Sequence, residues 1–349
     1  MPADPLPSPV LPQVPGLEWR PPTAADLDPW HELIDRMQAA DVNNERWTRG
    51  DLERSLGMSW VDLSTDAIVG VDAHGVFRAF GRNTFRPGST DELSIALLGG
   101  VDPDWRGRGV GRQLLAWQRA RARQNVAELR AGDAHAATLA ARIGTFAEAQ
   151  MESKARLLVA AGLEPRRWFD VMRRPLTVVA ASMPDPVMPE GLEVVNYGPE
   201  FSKRTRLAHN EAFLDHWGSN PSDAEAWRAG LEEDEAFRPA SSFLMLASAV
   251  EGQPVVGYVL NEEFVEEWPV LGHTEGYVGT LGVIRAWRGR GLARILLQLS
   301  ARDFARLGHP FMALDVDADN PSGAGRLYKN FGFVQASRST YYGIDPDAH

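Results

Sequence analysis

The pentapeptide Trp-Arg-Gly-Arg-Gly occurs at 105–109 and again at 287–291, 182 residues apart in a chain of 349. In each place an apolar run precedes it and a helix-like run follows. Any fold for this chain must therefore supply two equivalent strand–loop–helix junctions. Two further markers recur in the same order. GLEWRPPTAADLDP (16–29) resembles GLEVVNYGPEFSKR (191–204), and ARLLVAAGLEP (155–165) corresponds to GRLYKNFGFVQ (325–335). The offsets of 175, 182 and 170 residues differ, as in duplicated domains with unequal loops and not in a solenoid of fixed period. The expected layout is a tail at 1–15, a domain at 16–174, a proline-rich linker at 175–190 and a second domain at 191–349.

The second half reads as alternating elements. Residues 201–216 and 222–236 carry helical patterns; 241–250 and 255–264 are strands around the turn EGQP, and 273–284 is the next strand. After the loop, Leu292, Ile295, Leu296 and Leu299 mark one face of a helix. A buried strand at 309–318, a short helix within 321–332 and a strand at 337–344 complete the half. The fold class is α/β, a mixed and mostly antiparallel sheet flanked by helices in each half.

A strand running into a glycine-rich loop and then a helix presents unpaired backbone N–H groups at the positive end of the helix dipole, a site for phosphate. Glycine allows sharp turns and close approach, and arginine adds charge-assisted contacts. The loops point to a ligand bearing a pyrophosphate. A P-loop is excluded because no Gly-Lys-Ser/Thr follows either copy, and the order Arg-x-x-Gly-x-Gly/Ala is not that of a dinucleotide fold.

This order, Arg106-x-x-Gly109-x-Gly111 and Arg288-x-x-Gly291-x-Ala293, resembles the acyl-CoA-binding motif of the GNAT superfamily of N-acyltransferases. The later stretch DADNPSGAGRLYKNFGF (317–333) resembles that family's second signature. The resemblance covers both halves, and the two-domain order is similar to that of mycothiol synthase. It implies tandem GNAT domains with acetyl-CoA as cosubstrate. Its pyrophosphate would lie on Arg288, Gly289, Arg290, Gly291, Leu292 and Ala293, and its pantetheine arm along Leu281, Gly282 and Val283. Asn320 would bond the cofactor backbone or the next helix. In the first half the matching cradle is Arg106, Gly107, Arg108, Gly109, Val110 and Gly111.

The halves are not equivalent. By the resemblance Tyr328 is the acid that protonates the departing thiolate, and a phenol with a pKa of about 10 suits that task. Four residues before Gly162 the first half has Leu158, which has no proton to give. The first domain is thus expected to keep the cradle without the chemistry. On the strand before the second loop, His273, Glu275 and Tyr277 share a face. Glu275 is the expected base, a solvent-facing edge glutamate being the competing reading. Glu262, Glu263, Glu266 and Glu267 form an acidic run that would attract a cationic amine if it rims the acceptor mouth.

The chain has no cysteine, which excludes a cysteinyl acyl-enzyme and favours direct attack in a ternary complex. No metal is expected, since His209 and His216 lack a convergent third ligand. The net charge of −11 argues against nucleic-acid binding. No apolar run approaches the ~20 residues of a membrane span, and the first fifteen residues do not read as a secretory signal. A cytoplasmic enzyme acting on a small-molecule primary amine, as monomer or homodimer, is the expectation. Lysine acetylation on proteins, acetylation of a cysteinyl amine and a non-catalytic acyl-CoA sensor are the alternatives.

Overall fold

A computed structural model describes residues 9–41, 46–85, 89–176, 185–214, 216–320 and 323–347. The expected tail and linker fall partly outside these residues, as does Asp215 beside His216. The chain forms two compact units, Met1–Arg167 with Thr340–His349, and Trp168–Ser339.

In the first unit, β1 (Glu18–Arg20) leads to α1 (Leu27–Asp41), α2 (Arg49–Leu56) and α3 (Leu63–Asp66). Strands β2 (Ala67–Val71), β3 (Phe77–Thr84) and β4 (Glu92–Val101) then form an antiparallel meander. Helix α4 (Val110–Gly132) crosses to β5 (Ala140–Glu148), which pairs parallel to β4 from Glu92↔Ala140 to Ala96↔Gly144. Next come α5 (Glu152–Ala160) and β6 (Glu164–Pro175). The apolar face of α4 supplies Leu115, Ala122 and Val126 to a core with Leu93, Ile95 and Ile143. Trp30 and Leu33 of α1 cover the opposite face with Val69 and Phe77.

The second unit repeats the plan. It contains β7 (Leu192–Asn196), α6 (Ser202–Ala212), α7 (Ala224–Trp227), β8 (Phe243–Ala247), β9 (Val255–Glu262) and α8 (Trp268–Leu271). They are followed by β10 (Glu275–Val283), α9 (Leu292–Arg306), β11 (Phe311–Asp317), α10 (Ala324–Asn330) and β12 (Val334–Ile344). Every element expected in this half is present. Helix α9 is present, but its buried face is turned from the expected one: Leu292, Leu296, Leu297, Ala301 and Phe304 are at most 2% exposed, whereas Ile295 and Leu299 are only partly buried. Each fully buried large side chain contributes roughly 1.5–3 kcal/mol through burial.

One arrangement was not legible locally. The outer strand of the first unit's sheet, beyond β5, is residues 340–344 of β12. The outer strand of the second unit's sheet is residues 168–175 of β6, antiparallel to β11 with Ala313↔Arg173 and Asp317↔Phe169 in register. Each sheet is thus closed by a segment that belongs, in sequence, to the other half.

Candidate acyl-transfer site

The two loops have the same backbone. A 3-10 turn ending at Trp105 or Trp287 leads into glycines with positive φ, 75° and 81° at Gly107 and Gly109, 76° and 78° at Gly289 and Gly291. A side chain at such a φ costs roughly 1–2 kcal/mol, which accounts for glycine there. Gly109 and Gly291 are left-handed N-caps without a side-chain bond, so the first amides of α4 and α9 lack internal acceptors. A methyl group built on any of these four glycines meets nothing within 4 Å. An open cradle of N–H donors results, whose chemistry suits a phosphate group.

The arginines depart from their expected role. Arg288 Nε donates to the Val283 carbonyl at 3.1 Å, and Nη2 to the Ala212 carbonyl at 2.8 Å. Arg106 Nε donates likewise to Val101 at 3.1 Å, and its Nη2 reaches Asp41 at 2.9 Å. Both guanidinium groups brace the loop against the end of the preceding strand. Arg108 and Arg290 lie over the indoles of Trp105 and Trp287, at 4.7 and 4.5 Å from the ring centroids. The tryptophans thus carry the second arginine of each loop.

Around the cradle, Val110 and Leu292 are buried first-turn residues. A Cβ on Gly111 would lie 3.2 Å from Leu157, and Ala293 stands at the equivalent place. Leu281 and Val283 pack on the core while Gly282 leaves room for Tyr258, whose ring atoms would lie 2.4–2.5 Å from an added Cβ. Sequence reasoning missed Tyr258; only the glycine opposite it signals a bulky partner. Its buried hydroxyl lies 3.0 Å from His209 Nδ1, so His209 serves packing of α6. The His216 Nδ1 lies 3.1 Å from the Trp217 carbonyl. No group of three or more metal-ligating side chains gathers among the described residues. Asn320 lies in the turn after β11, its amide bonded to the Asp317 carbonyl at 3.1 Å.

The strands beside the cradle separate. β10 pairs parallel to β11 only over Glu275↔Phe311, Gly276↔Met312 and Tyr277↔Ala313, then parts from it. On its other edge β10 follows β9 but bulges between Val278 and Thr280. The matching β3–β4 ladder runs from Ala79↔Val101 to Thr84↔Ala96 without a shift. Tyr328, on α10, is buried beside Phe333 with ring centroids 5.9 Å apart. Burial pushes its hydroxyl up to about 12, so it holds its proton throughout the neutral range. Leu158 on α5 is buried in the first unit.

The carboxylates are not distributed as expected. Glu275 is buried, with Oε1 accepting from Arg173 Nη2 at 2.9 Å and Oε2 from Arg173 Nε. His273 Nε2 stands 3.2 Å from Oε2. Glu275 is thus engaged by Arg173 and forms a wall of the narrow cleft lined also by Phe264, Glu267, Trp268, Leu271 and Tyr277. The acidic run also divides. Glu263 accepts from Arg238 at 2.7 Å and lies 2.8 Å from His309 Nε2; Glu266 is exposed, Glu267 lines the cleft, and Glu262 faces Tyr277 across the ladder.

Residues 205–333 match the model of the Acetyltransferase (GNAT) family. The mycothiol acetyltransferase of Kytococcus sedentarius is 29% identical over 284 residues, which cover 80% of this chain and 83% of that protein. Among solved structures, a GCN5-related N-acetyltransferase from Sphaerobacter thermophilus is 26% identical with a TM-score of 0.65, covering 96% and 97% of the two chains. A tandem GNAT protein from the clavulanic acid biosynthesis pathway shares the fold at 17% identity, with a TM-score of 0.67 over 95% and 99%.

Proposed function

We propose, from the premise that this chain is an acyltransferase carrying a GNAT acetyltransferase domain, that its second unit moves an acetyl group from acetyl-CoA to a primary amine of a small molecule. The observation carrying this reading is the asymmetry between two otherwise matching cradles. The β10 bulge and Tyr328 occur in the second unit, where the first has a regular ladder and Leu158.

In this reading the amides of 289–293 hold the pyrophosphate, and the unpaired edge of β10 past Tyr277 lies along the pantetheine arm and polarises the thioester carbonyl. Asn320 steadies the turn beside it, and Tyr328 gives its proton to the departing sulfur. The first unit keeps a cradle at 106–111 that binds the same cosubstrate without turning it over.

The test is release of free CoA thiol from acetyl-CoA with a panel of amines, comparing wild type with Tyr328→Phe. Loss of a positioned general acid lowers kcat by about 10²–10⁴-fold while acetyl-CoA binding persists. An unchanged kcat removes Tyr328 from the chemistry. The similarity to mycothiol acetyltransferases favours a second, narrower reading, in which the acceptor is a cysteinyl amine. Including such an amine in the panel decides it by its kcat/KM against simple alkylamines.

A further inference from the structure

We infer that Glu262 takes the proton from the acceptor's ammonium group, a role that rests on the amine-acetylation reading above. Glu262 ends β9 and pairs across the ladder with Tyr277. Just beyond Tyr277 the β10 strand bulges, and there it leaves β11. The Glu262 carboxylate lies against the bulge itself: a Cβ on Gly279 would fall 2.4–2.5 Å from its Cδ and both oxygens. Glycine at 279 is what lets this carboxylate rest on the strand beside the gap.

The two neighbouring acids expected to matter are occupied, Glu263 by Arg238 and His309, Glu275 by Arg173. No hydrogen bond or ion pair reaches the Glu262 carboxylate among the described residues. The groups facing it are Asp234 from the segment before β8, Tyr277 from β10 and, around Tyr277, Asp315 of β11 and Glu267. All are acidic or neutral, so the pocket lacks the cation that would balance it. Burial, with repulsion from Asp234 added, pushes the Glu262 carboxyl up to about 8. That brings its proton affinity nearer to an alkylammonium than an ordinary carboxylate of about 4.3. An incoming ammonium supplies the missing positive charge and, in doing so, favours the ionised form that can accept its proton.

The carboxylate of Glu262 accepts one ammonium proton, and the nitrogen lone pair forms the C–N bond at the thioester carbon. As the C–S bond breaks, Tyr328 protonates the sulfur, and the remaining surplus proton on nitrogen returns to the Tyr328 oxygen. Glu262 then releases its proton to water.

An acceptor that is already neutral does not need this base. Wild type and Glu262→Gln are compared with acetyl-CoA and either propylamine or other cationic primary alkylamines, or aniline, which is neutral at pH 7. The expected result is a loss of about 100-fold or more in kcat with the alkylamines, while the aniline rate is little changed. In wild type, kcat/KM for the alkylamines levels off above about pH 8, whereas in the variant, which can use only amine that is already neutral, it keeps rising toward the ammonium pKa of about 10. Retention of the alkylamine rate, or equal loss with both acceptor types, overturns the role of Glu262 while acetyl transfer stands. Wild type releasing no CoA with any amine overturns the acetyl-transfer reading and this role with it. If the glutamine variant does not fold, Gly279→Ala, which displaces the carboxylate without removing it, must show the same alkylamine-selective loss.

Discussion

Replacing Arg82 by methionine should stabilise the first unit. Arg82 lies on β3 between Ala67 of β2 and Leu98 of β4 and is only 4% exposed. Its Nη2 donates to Ser55 Oγ at 2.7 Å and its Nη1 more weakly to the Ser55 carbonyl at 3.4 Å, while Nε is buried without a partner. Among the described residues no carboxylate offsets the charge, and burial alone pulls the guanidinium down from 12.5 to about 10. At about 1.4 kcal/mol per tenfold change in proton affinity, holding the cation there costs on the order of 3 kcal/mol. Methionine has a similar length, removes that cost and gives up a hydrogen bond worth about 1–1.5 kcal/mol. The net gain is therefore about 1–2 kcal/mol, in line with buried ions replaced by apolar groups. For a domain of this size that raises Tm by roughly 2–8 °C. The assay is thermal and urea unfolding of Arg82→Met and Arg82→Lys against wild type at neutral pH. A fall in Tm of several degrees for the methionine variant would refute the reasoning, because it would mean that the charge is well compensated.

Gly291→Ala forces a side chain at a φ of 78° and should weaken acetyl-CoA binding and turnover together, by roughly 1–2 kcal/mol. Gly109→Ala should weaken binding at the first cradle and leave kcat intact, which calorimetry and CoA release separate. Arg20 beside Asp26, through paired bonds of 2.8 Å, holds that carboxyl down at about 2. The stability this contributes is present above the unfolded pKa near 3.8 and is lost as pH falls through about 2. Asp26→Asn should therefore cost about 1–2 kcal/mol at neutral pH, with the gap to wild type closing in acid denaturation scans between about pH 4 and pH 2. Leu296→Ala, at a fully buried position on α9, should destabilise the second unit by about 2–5 kcal/mol in urea titration.

The doubled loop and the helix α9 were legible because both are local: glycines at fixed spacing set backbone angles, and leucines at helical spacing mark a helix. The difference between Tyr328 and Leu158 was legible for the same reason, as one aligned position. The partner of Glu275 was not legible, because it acts over a longer range. Strand alternation places it on a face, but Arg173, which captures it, lies 102 residues upstream and arrives through β6. Glu262 was visible only as one of four acids in a run. Its distinction depends on the bulge at Gly279, which no pattern of apolar residues encodes. The loop arginines carried the right motif and a different job, since their reach to the strand-end carbonyls follows from the turn geometry.

The closing strands have a consequence for how the protein is made. The segment that completes the first unit's sheet, residues 340–344, is synthesised only after the whole second half has emerged. On the ribosome, β5 therefore waits with an open edge, and a fragment stopped near residue 174 would carry that unprotected edge permanently. Completion of each sheet depends on a strand from the other half of the sequence, which ties the two halves into one folding event.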